Sequence, residues 1–182
     1  MSKALLVIDM QQDICYDDKR KDKVFAALPQ INNAINEFLV NGYKVIYTCF
    51  SLPFNDEQFI RFGDKYCVEG TKGAEIITEL LPLKGEVIVK KKHSAFFETE
   101  LDEILKKNKI EELYLAGLQT QICIMTTAAD ASFRGYRPIV IKECVISTRD
   151  KRKTEALNWV KKYVGEVYSL SEVIKKLKNE SI

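Results

Sequence analysis

The sequence predicts an α/β fold: a three-layer, doubly wound, mainly parallel six-stranded sheet with helices on both faces. Six apolar, β-rich runs recur along the 182 residues. Most of them are continuously apolar, as are strands buried on both faces. Helical patterns lie between these runs, and strand–helix alternation is typical of a parallel sheet. A chain of this length fits one domain, which we expect to span residues 1–182.

The six predicted strands are short runs bounded by turn residues or helical patterns. They are Ala4–Asp9, Lys44–Phe50, Glu86–Lys90, Glu112–Gly117, Arg137–Glu143 and Glu166–Leu170. The stretch Ser51–Lys72 interrupts the alternation, because it combines turn residues with scattered aromatic side chains and has no clean period. Long loops in compact domains are often functional, so we expect substrate specificity to reside there.

The predicted helices follow the strands. Apolar residues three and four apart fill residues 22–42, and this pattern stops at Gly42. Thr99 and Ser147 are predicted N-caps, each with an aspartate three residues later. A helix after the fourth strand carries Cys123 about one turn from its start, and residues 169–179 form an amphipathic C-terminal helix.

Composition excludes several classes of partner. Hydrophobic residues make up 46% and charged residues 30%, and 28 basic against 26 acidic residues give a net charge of +2. This balance gives no electrostatic reason to expect nucleic acid or an anionic membrane as a partner. No apolar run approaches the ~18 residues of a membrane span, and the N-terminal apolar stretch is too short for a signal peptide. The five widely spaced cysteines favour a reducing, cytoplasmic location.

Histidine is the most informative count, because His93 is the only one. A multi-histidine metal site is therefore excluded, and a catalytic group of the Ser-His-Asp or Cys-His type would have to use His93. The sequence also contains no CxxC pair, so nothing predicts a zinc site. We expect no metal and no cofactor.

Three reactive side chains stand where predicted strands end. Asp9 ends the first strand, Lys90 ends the third, and Cys123 follows the fourth. Ligands of open α/β sheets bind outside the carboxyl ends of the strands, so the three residues predict one site. Each residue alone also has a structural interpretation: Asp9 as a strand-end cap, Lys90 as part of a solvated charge run, and Cys123 as a buried apolar side chain.

The sequence resembles the isochorismatase-like cysteine hydrolases, the superfamily of nicotinamidase and N-carbamoylsarcosine amidohydrolase. The matching segments are "LLVIDMQQD", "CVEGTKGAEI", "VIVKKKHSAFFETELDEIL" and "LAGLQTQICIMTTAADASFRGY". They occur in family order and cover the chain from about Lys3 to Ser147. The resemblance rests on all four segments together, because they occur in order and with sensible spacing.

The resemblance implies a catalytic triad of Asp9, Lys90 and Cys123. The family lysine stands four residues before the serine of "SAF", here Ser94, which selects Lys90 rather than its two lysine neighbours. The resemblance also implies a cis peptide between Leu118 and Gln119. The backbone N–H groups of Gln119 and Cys123 would then form the oxyanion hole.

The implied reaction is hydrolysis of a C–N bond in a small amide, carbamoyl or ureido substrate through a Cys123 thioester. A helix N-terminus and the charge of Lys90 are expected to favour the thiolate, and Asp9 accepts the proton. We expect aromatic side chains to line the substrate pocket. The pocket candidates are Tyr16, Phe54, Phe62 and Phe96.

The sequence departs from the nicotinamidase pattern at the metal site. Metal-binding relatives have histidines after the second strand and just before "CV", whereas this chain has no histidine after that strand and Tyr66 before "CV". Metal-dependent nicotinamidase activity is therefore not expected. Family members commonly form dimers or tetramers, so the resemblance also implies a homodimer or homotetramer.

Two other functions remain open. One is hydrolysis of a vinyl ether, as in true isochorismatases, which do not need the thiol. The other is a non-catalytic binding or thiol-sensing protein on the same fold, in which Cys123 is the reactive group.

Overall fold

The computed structural model describes residues 2–62, 65–80 and 84–179, except the side chain of Phe62. All six predicted strands are present in one sheet, and every neighbouring pair is parallel. The sheet order is β3-β2-β1-β4-β5-β6. The strands are β1 (Ser2–Ile8), β2 (Lys44–Phe50), β3 (Glu86–Lys90), β4 (Ile110–Leu118), β5 (Arg137–Ile146) and β6 (Glu166–Tyr168).

Helices connect the strands as the alternation predicts. They are α1 (Gln12–Cys15), α2 (Lys21–Val40), α3 (Glu57–Phe62), α4 (Leu101–Lys107), α5 (Met125–Phe133), α6 (Asp150–Tyr163) and α7 (Leu170–Asn179). A 3₁₀ turn, Lys72–Ala74, precedes β3, and a π-helical turn, Thr120–Ile124, joins β4 to α5. None of the helices in the described ranges is both long and apolar enough to cross a lipid bilayer.

Alternate residues of the strands face two separate cores, because successive side chains of a strand point to opposite faces. On β1, Leu5 and Val7 pack with α2 and α7, whereas Leu6 and Ile8 pack with α4, α5 and α6. The sheet is therefore the middle of three layers, which confirms the predicted fold class.

The two predicted helix caps were wrong by one or two residues. The N-caps of α4 and α6 are Glu100 and Arg149. The hydroxyl of Thr99 instead donates to the carbonyl of Ala95, and that of Ser147 accepts from the N–H of Arg149. Serine and threonine hydroxyls bond nearby backbone groups in turns as well as at caps, so the sequence pattern alone does not separate the two cases.

The direction of winding reverses between β1 and β4, the two central strands. Here β4 approaches β1 closely at Gly117, which has a φ of +106° and whose Cβ, if present, would lie 2.1 Å from the carbonyl oxygen of Ile8. Only glycine tolerates both that φ and that contact. The carboxyl ends of β1 and β4 are thereby held side by side, at the place where ligands of such sheets bind.

Candidate active site

Three side chains predicted from strand ends meet at this edge of the sheet. Lys90 Nζ lies 2.8 Å from Asp9 Oδ2 and 3.5 Å from Cys123 Sγ. The structure thus brings a carboxylate, an ammonium and a thiol together at the carboxyl ends of β1, β3 and β4. The ion pair is almost completely excluded from solvent, with Lys90 0% and Asp9 1% exposed.

Asp9 occupies the first position after β1. Its backbone has a φ of +54°, a left-handed conformation that aspartate tolerates better than most residues. Two contacts with β2 fix it: its N–H donates to the carbonyl of Thr48 at 3.1 Å, and the Thr48 hydroxyl donates to Oδ1 at 2.9 Å. The second carboxylate oxygen is thereby directed at Lys90.

Lys90 is the last residue of β3, and its ammonium has three acceptors. It contacts Asp9, donates to the carbonyl of Lys92 at 3.0 Å and approaches the sulfur of Cys123. Burial by itself would lower the pKa of Lys90, but the neighbouring Asp9 and Cys123 outweigh burial and raise it. Lys90 therefore supplies a fixed positive charge and does not act as a base at neutral pH.

Cys123 lies in the π-helical turn that leads into α5, and its half-buried side chain faces a cavity. Burial raises the pKa of the Cys123 thiol to about 12, Asp9 adds to the increase, and Lys90 opposes it. Desolvation and the neighbouring carboxylate thus act against the expected thiolate, whereas the charge of Lys90 favours it.

The backbone between β4 and Cys123 contains the implied cis peptide: the bond Leu118–Gln119 is cis. The Thr120 hydroxyl donates to the carbonyl of Ile146 at 2.9 Å and anchors the following turn to β5. Leu118, Gln119 and Cys123 all border the same cavity. The two backbone N–H groups that the resemblance implies as oxyanion donors thus belong to residues on the wall of one cavity.

The cavity beside Cys123 is small, with a volume of about 50 Å³. The lining residues are Asp9, Ile14, Arg20, Phe50, Tyr66, His93, Leu118, Gln119, Ile122 and Cys123. Sequence reasoning missed Arg20 as a pocket residue, because it stands in a polar run before α2 that reads as solvated surface. Tyr66 is the one residue of the 51–72 loop, among the side chains described, that lines the cavity.

Three of the four aromatic pocket candidates do not line the cavity. Phe96 is buried in the core, where it stacks on Tyr136 with ring centroids 5.8 Å apart. Phe54 is 65% exposed, and Tyr16 is half-exposed and donates a hydrogen bond to Glu79. The side chain of Phe62 lies outside the described residues. The aromatic walls are instead Phe50 and Tyr66, whose ring centroids lie 5.7 Å apart.

His93 borders the cavity, with its Nδ1 4.0 Å from Cys123 Sγ. Burial lowers the pKa of His93, and the positive charge of Lys90 lowers it further. The imidazole is therefore neutral at physiological pH and lies at the outer limit of hydrogen-bond distance from the sulfur.

Metal binding does not fit the residues present. Within residues 2–62, 65–80 and 84–179, no three or more His, Cys, Asp or Glu side chains are grouped to hold a metal ion. Tyr66 occupies the position before "CV" and packs between Phe50 and Phe59. These side chains do not match the donor set of metal-binding nicotinamidases.

Known proteins provide an independent comparison. The family model described as "Isochorismatase domain" matches residues 3–172. The isochorismatase family protein PncA of Bacillus subtilis is 32% identical over 181 residues, covering 91% of this chain and 97% of that protein.

Solved structures agree with this assignment. The nicotinamidase/pyrazinamidase PncA from Bacillus subtilis has a TM-score of 0.86 at 27% identity, covering 93% of this chain and 100% of that one. N-carbamoylsarcosine amidase from Thermoplasma acidophilum has a TM-score of 0.82 at 30% identity, covering 93% and 97%. Since the family model spans almost the whole chain and both solved structures share its fold, the protein belongs to the isochorismatase family.

Proposed function

We propose that the protein is a cysteine amidohydrolase that cleaves the C–N bond of a small amide, carbamoyl or ureido substrate. The relatives named as nicotinamidase and N-carbamoylsarcosine amidase are C–N hydrolases, which supports the general activity. The observation that best supports the mechanism is the grouping of the Asp9 carboxylate, the Lys90 ammonium and the Cys123 thiol. Lys90 Nζ lies within 3.5 Å of both Asp9 and Cys123.

The first step is attack of the sulfur on the substrate carbonyl. Because burial raises the pKa of the Cys123 thiol, the proton leaves as the S–C bond forms, and Asp9 is the neighbouring carboxylate that accepts it. The carbonyl oxygen becomes an oxyanion and accepts hydrogen bonds from the backbone N–H groups of Gln119 and Cys123. The protonated Asp9 then gives the proton to the leaving nitrogen, the C–N bond breaks, and ammonia or an amine departs.

The second step returns the enzyme to its resting form. Asp9 takes a proton from a water molecule, whose oxygen attacks the thioester carbonyl of acyl-Cys123. The same two N–H groups bind the second oxyanion. The C–S bond breaks, the sulfur recovers a proton from Asp9, and the acid product leaves. For a carbamoyl or ureido substrate, the released acid is a carbamic acid.

Lys90 stabilises negative charge throughout both steps. In the resting protein it neutralises Asp9, and during attack it faces the sulfur at the moment when that atom loses its proton. Its buried, three-acceptor environment fixes the ammonium without any need for it to move. A preorganised charge of this kind lowers the barrier because no solvent has to reorganise.

Ammonia release from a panel of small amides and ureido acids, nicotinamide included, tests the proposal. We expect turnover that falls at least about 10³-fold in Cys123→Ala. The control is Cys144→Ala, which removes a fully buried thiol from β5, outside the cavity. Both variants are compared with the wild type by circular dichroism to verify folding.

Adding a vinyl ether substrate to the panel separates the alternatives. Ether cleavage that survives in Cys123→Ala but not in Asp9→Asn, without ammonia release from any amide, would indicate the ether hydrolase and contradict the thioester. Silence with every substrate, combined with ready oxidation of Cys123, would favour the thiol-sensing protein.

A further inference from the structure

The cavity wall carries a second positive charge that the proposed mechanism does not use. Arg20 lies just before α2 and lines the cavity together with Cys123. Its side chain is only 22% exposed, so most of the guanidinium is shielded by protein. Asp9 is already neutralised by Lys90, and His93 is uncharged, so Arg20 sets the charge of this wall.

The guanidinium is held in place by two neighbours. Asp17 lies 3.4 Å from Nη1 at the outer side. With the Gln119 amide oxygen and nitrogen exchanged, the oxygen accepts from Nε at 3.1 Å and from Nη2 at 3.2 Å, in place of the 2.8 Å bond that it otherwise accepts from Gln121 Nε2. A guanidinium has five N–H donors, so donors remain for a ligand after these contacts.

Gln119 connects this charge to the reaction. Its side chain holds Arg20, and its backbone N–H is one of the two proposed oxyanion donors. The cation is therefore separated from the reacting carbonyl by a single residue of the wall. A group bound by Arg20 would lie a short carbon chain away from the scissile carbonyl.

Tyr66 adds a neutral donor beside this cation. Its ring is packed between Phe50 and Phe59, and it borders the cavity. Burial raises the pKa of the Tyr66 hydroxyl, while the nearby Arg20 acts in the opposite direction. The phenol is thus protonated at neutral pH, so it can donate a hydrogen bond to an acceptor-rich group in the cavity.

We propose that Arg20 and Tyr66 bind a carboxylate of the substrate, so that the preferred substrates are short amido or ureido acids rather than neutral amides. Arginine is suited to this role because its planar fork matches a carboxylate. This inference rests on the proposed function only in that the same cavity holds the scissile bond. It explains why the loop of residues 51–72 contributes Tyr66 to the cavity. It also explains why Arg20, in a polar run before α2, lines the cavity.

Matched substrates that differ only in charge test the inference. Ammonia release is compared for succinamate against 4-oxopentanamide, and for N-carbamoylglycine against its methyl ester. In the wild type we expect kcat/KM to favour the acid of each pair by at least about tenfold. Arg20→Met lowers that preference at least about tenfold, Tyr66→Phe lowers it less, and Arg20→Lys retains part of it. Arg152→Met, which removes an exposed arginine of α6, leaves the preference unchanged.

A second measurement needs no turnover. Succinate is expected to protect Cys123 from iodoacetamide in the wild type, as measured by mass spectrometry of the modified peptide. Arg20→Met weakens the protection at least about tenfold, whereas Arg152→Met does not, and succinamide protects all three proteins poorly.

The outcomes separate this inference from the proposed function. If acids and neutral analogues are hydrolysed equally and Arg20→Met affects both alike, the carboxylate site is wrong while the amidohydrolase stands. If no substrate releases ammonia but succinate protects Cys123 in an Arg20-dependent way, the anion site stands and the proposed function is wrong. Absence of both the acid preference and the protection overturns the inference.

Discussion

The sheet contains two buried lysine–carboxylate pairs, one at each end of its strands. Lys90 and Asp9 meet at the carboxyl ends of β3 and β1, with nitrogen and oxygen 2.8 Å apart. Lys3 and Glu112 meet at the amino ends of β1 and β4, 3.5 Å apart. All four side chains are at most 4% exposed, so burial alone does not distinguish the two pairs.

The pairs differ in what surrounds them. Glu112 also accepts from Arg137 at 3.0 Å and from the Tyr114 hydroxyl at 2.8 Å, so its carboxylate is enclosed by cations and donors. Asp9 has one hydroxyl donor, Thr48, and its lysine faces the sulfur of Cys123 as well. The Lys3–Glu112 pair is thus surrounded by hydrogen-bond and ion-pair partners, whereas the Lys90–Asp9 pair borders Cys123 and the cavity.

Cavity size does not identify the functional end. A groove of about 530 Å³ lies at the amino ends, but it is open and none of its lining residues is a cysteine or a histidine. The cavity at the carboxyl ends is about tenfold smaller, yet it contains Cys123, Asp9 and His93. The difference shows that strand direction determines where the reactive side chains meet. Side chains that follow the carboxyl ends of the strands converge at the switch point between β1 and β4.

Neutralising each carboxylate provides the strongest test of this comparison. Asp9→Asn is expected to lower kcat/KM for ammonia release by at least about 10³-fold, because the amide accepts no proton from the Cys123 thiol. Glu112→Gln changes the same charge at the other end and is expected to alter kcat/KM by less than about threefold. Both variants leave a buried lysine without its anionic partner, so each lowers the free energy of unfolding by about 3 kcal/mol or more.

Unfolding in urea, monitored by circular dichroism, measures that loss and ensures that activity is compared between folded proteins. Equal losses of activity in the two variants would mean that Asp9 acts only through stability, and the distinction between the two ends would fail.

The protonation state of Cys123, whose sulfur lies beside Lys90, provides the second test of this comparison. Burial raises the pKa of Cys123 to about 12, so we expect the neutral thiol to predominate at neutral pH. A raised thiol pKa keeps the neutral form present as the pH increases. We therefore expect the ultraviolet thiolate absorbance of the wild type minus Cys123→Ser to stay flat up to about pH 9. A rise centred below neutral pH would show a resting thiolate and would remove the need for Asp9 to accept its proton.

The positions of Asp9, Lys90 and Cys123 could be predicted from the sequence because the end of a strand is recognisable from the residues around it. Asp9 and Lys90 directly end continuous apolar runs, and Cys123 follows a third run after a short turn. The pKa of Cys123 could not be predicted in the same way. It depends on how many atoms exclude water from the sulfur and on the distance to Asp9, and both are properties of the assembled sheet.

The pocket wall was the less predictable part of the site. Arg20 stands in the run "DDKRKDK", whose composition resembles that of an exposed surface, and only its contact with Gln119 reveals that it faces inward. Phe96 follows the motif lysine closely, but its ring points into the core between the sheet and α4. The direction in which a side chain points outside helices and strands depends on its tertiary neighbours. A few apolar residues next to a motif have no periodicity that would predict this direction.

The smallest effect is expected from the hydroxyl that supports each carboxylate. Thr48→Val removes the 2.9 Å hydrogen bond to Asp9 and is expected to lower kcat about tenfold, because the carboxylate loses the contact that aims its other oxygen at Lys90. Tyr114→Phe removes the corresponding 2.8 Å bond to Glu112 and is expected to leave kcat within about twofold of the wild type. Single-turnover ammonia release, with unfolding measured in parallel, compares the two. A loss of stability without a loss of kcat in Thr48→Val would make the threonine as structural as the tyrosine, and orientation of Asp9 would then be secured by Lys90 and the backbone alone.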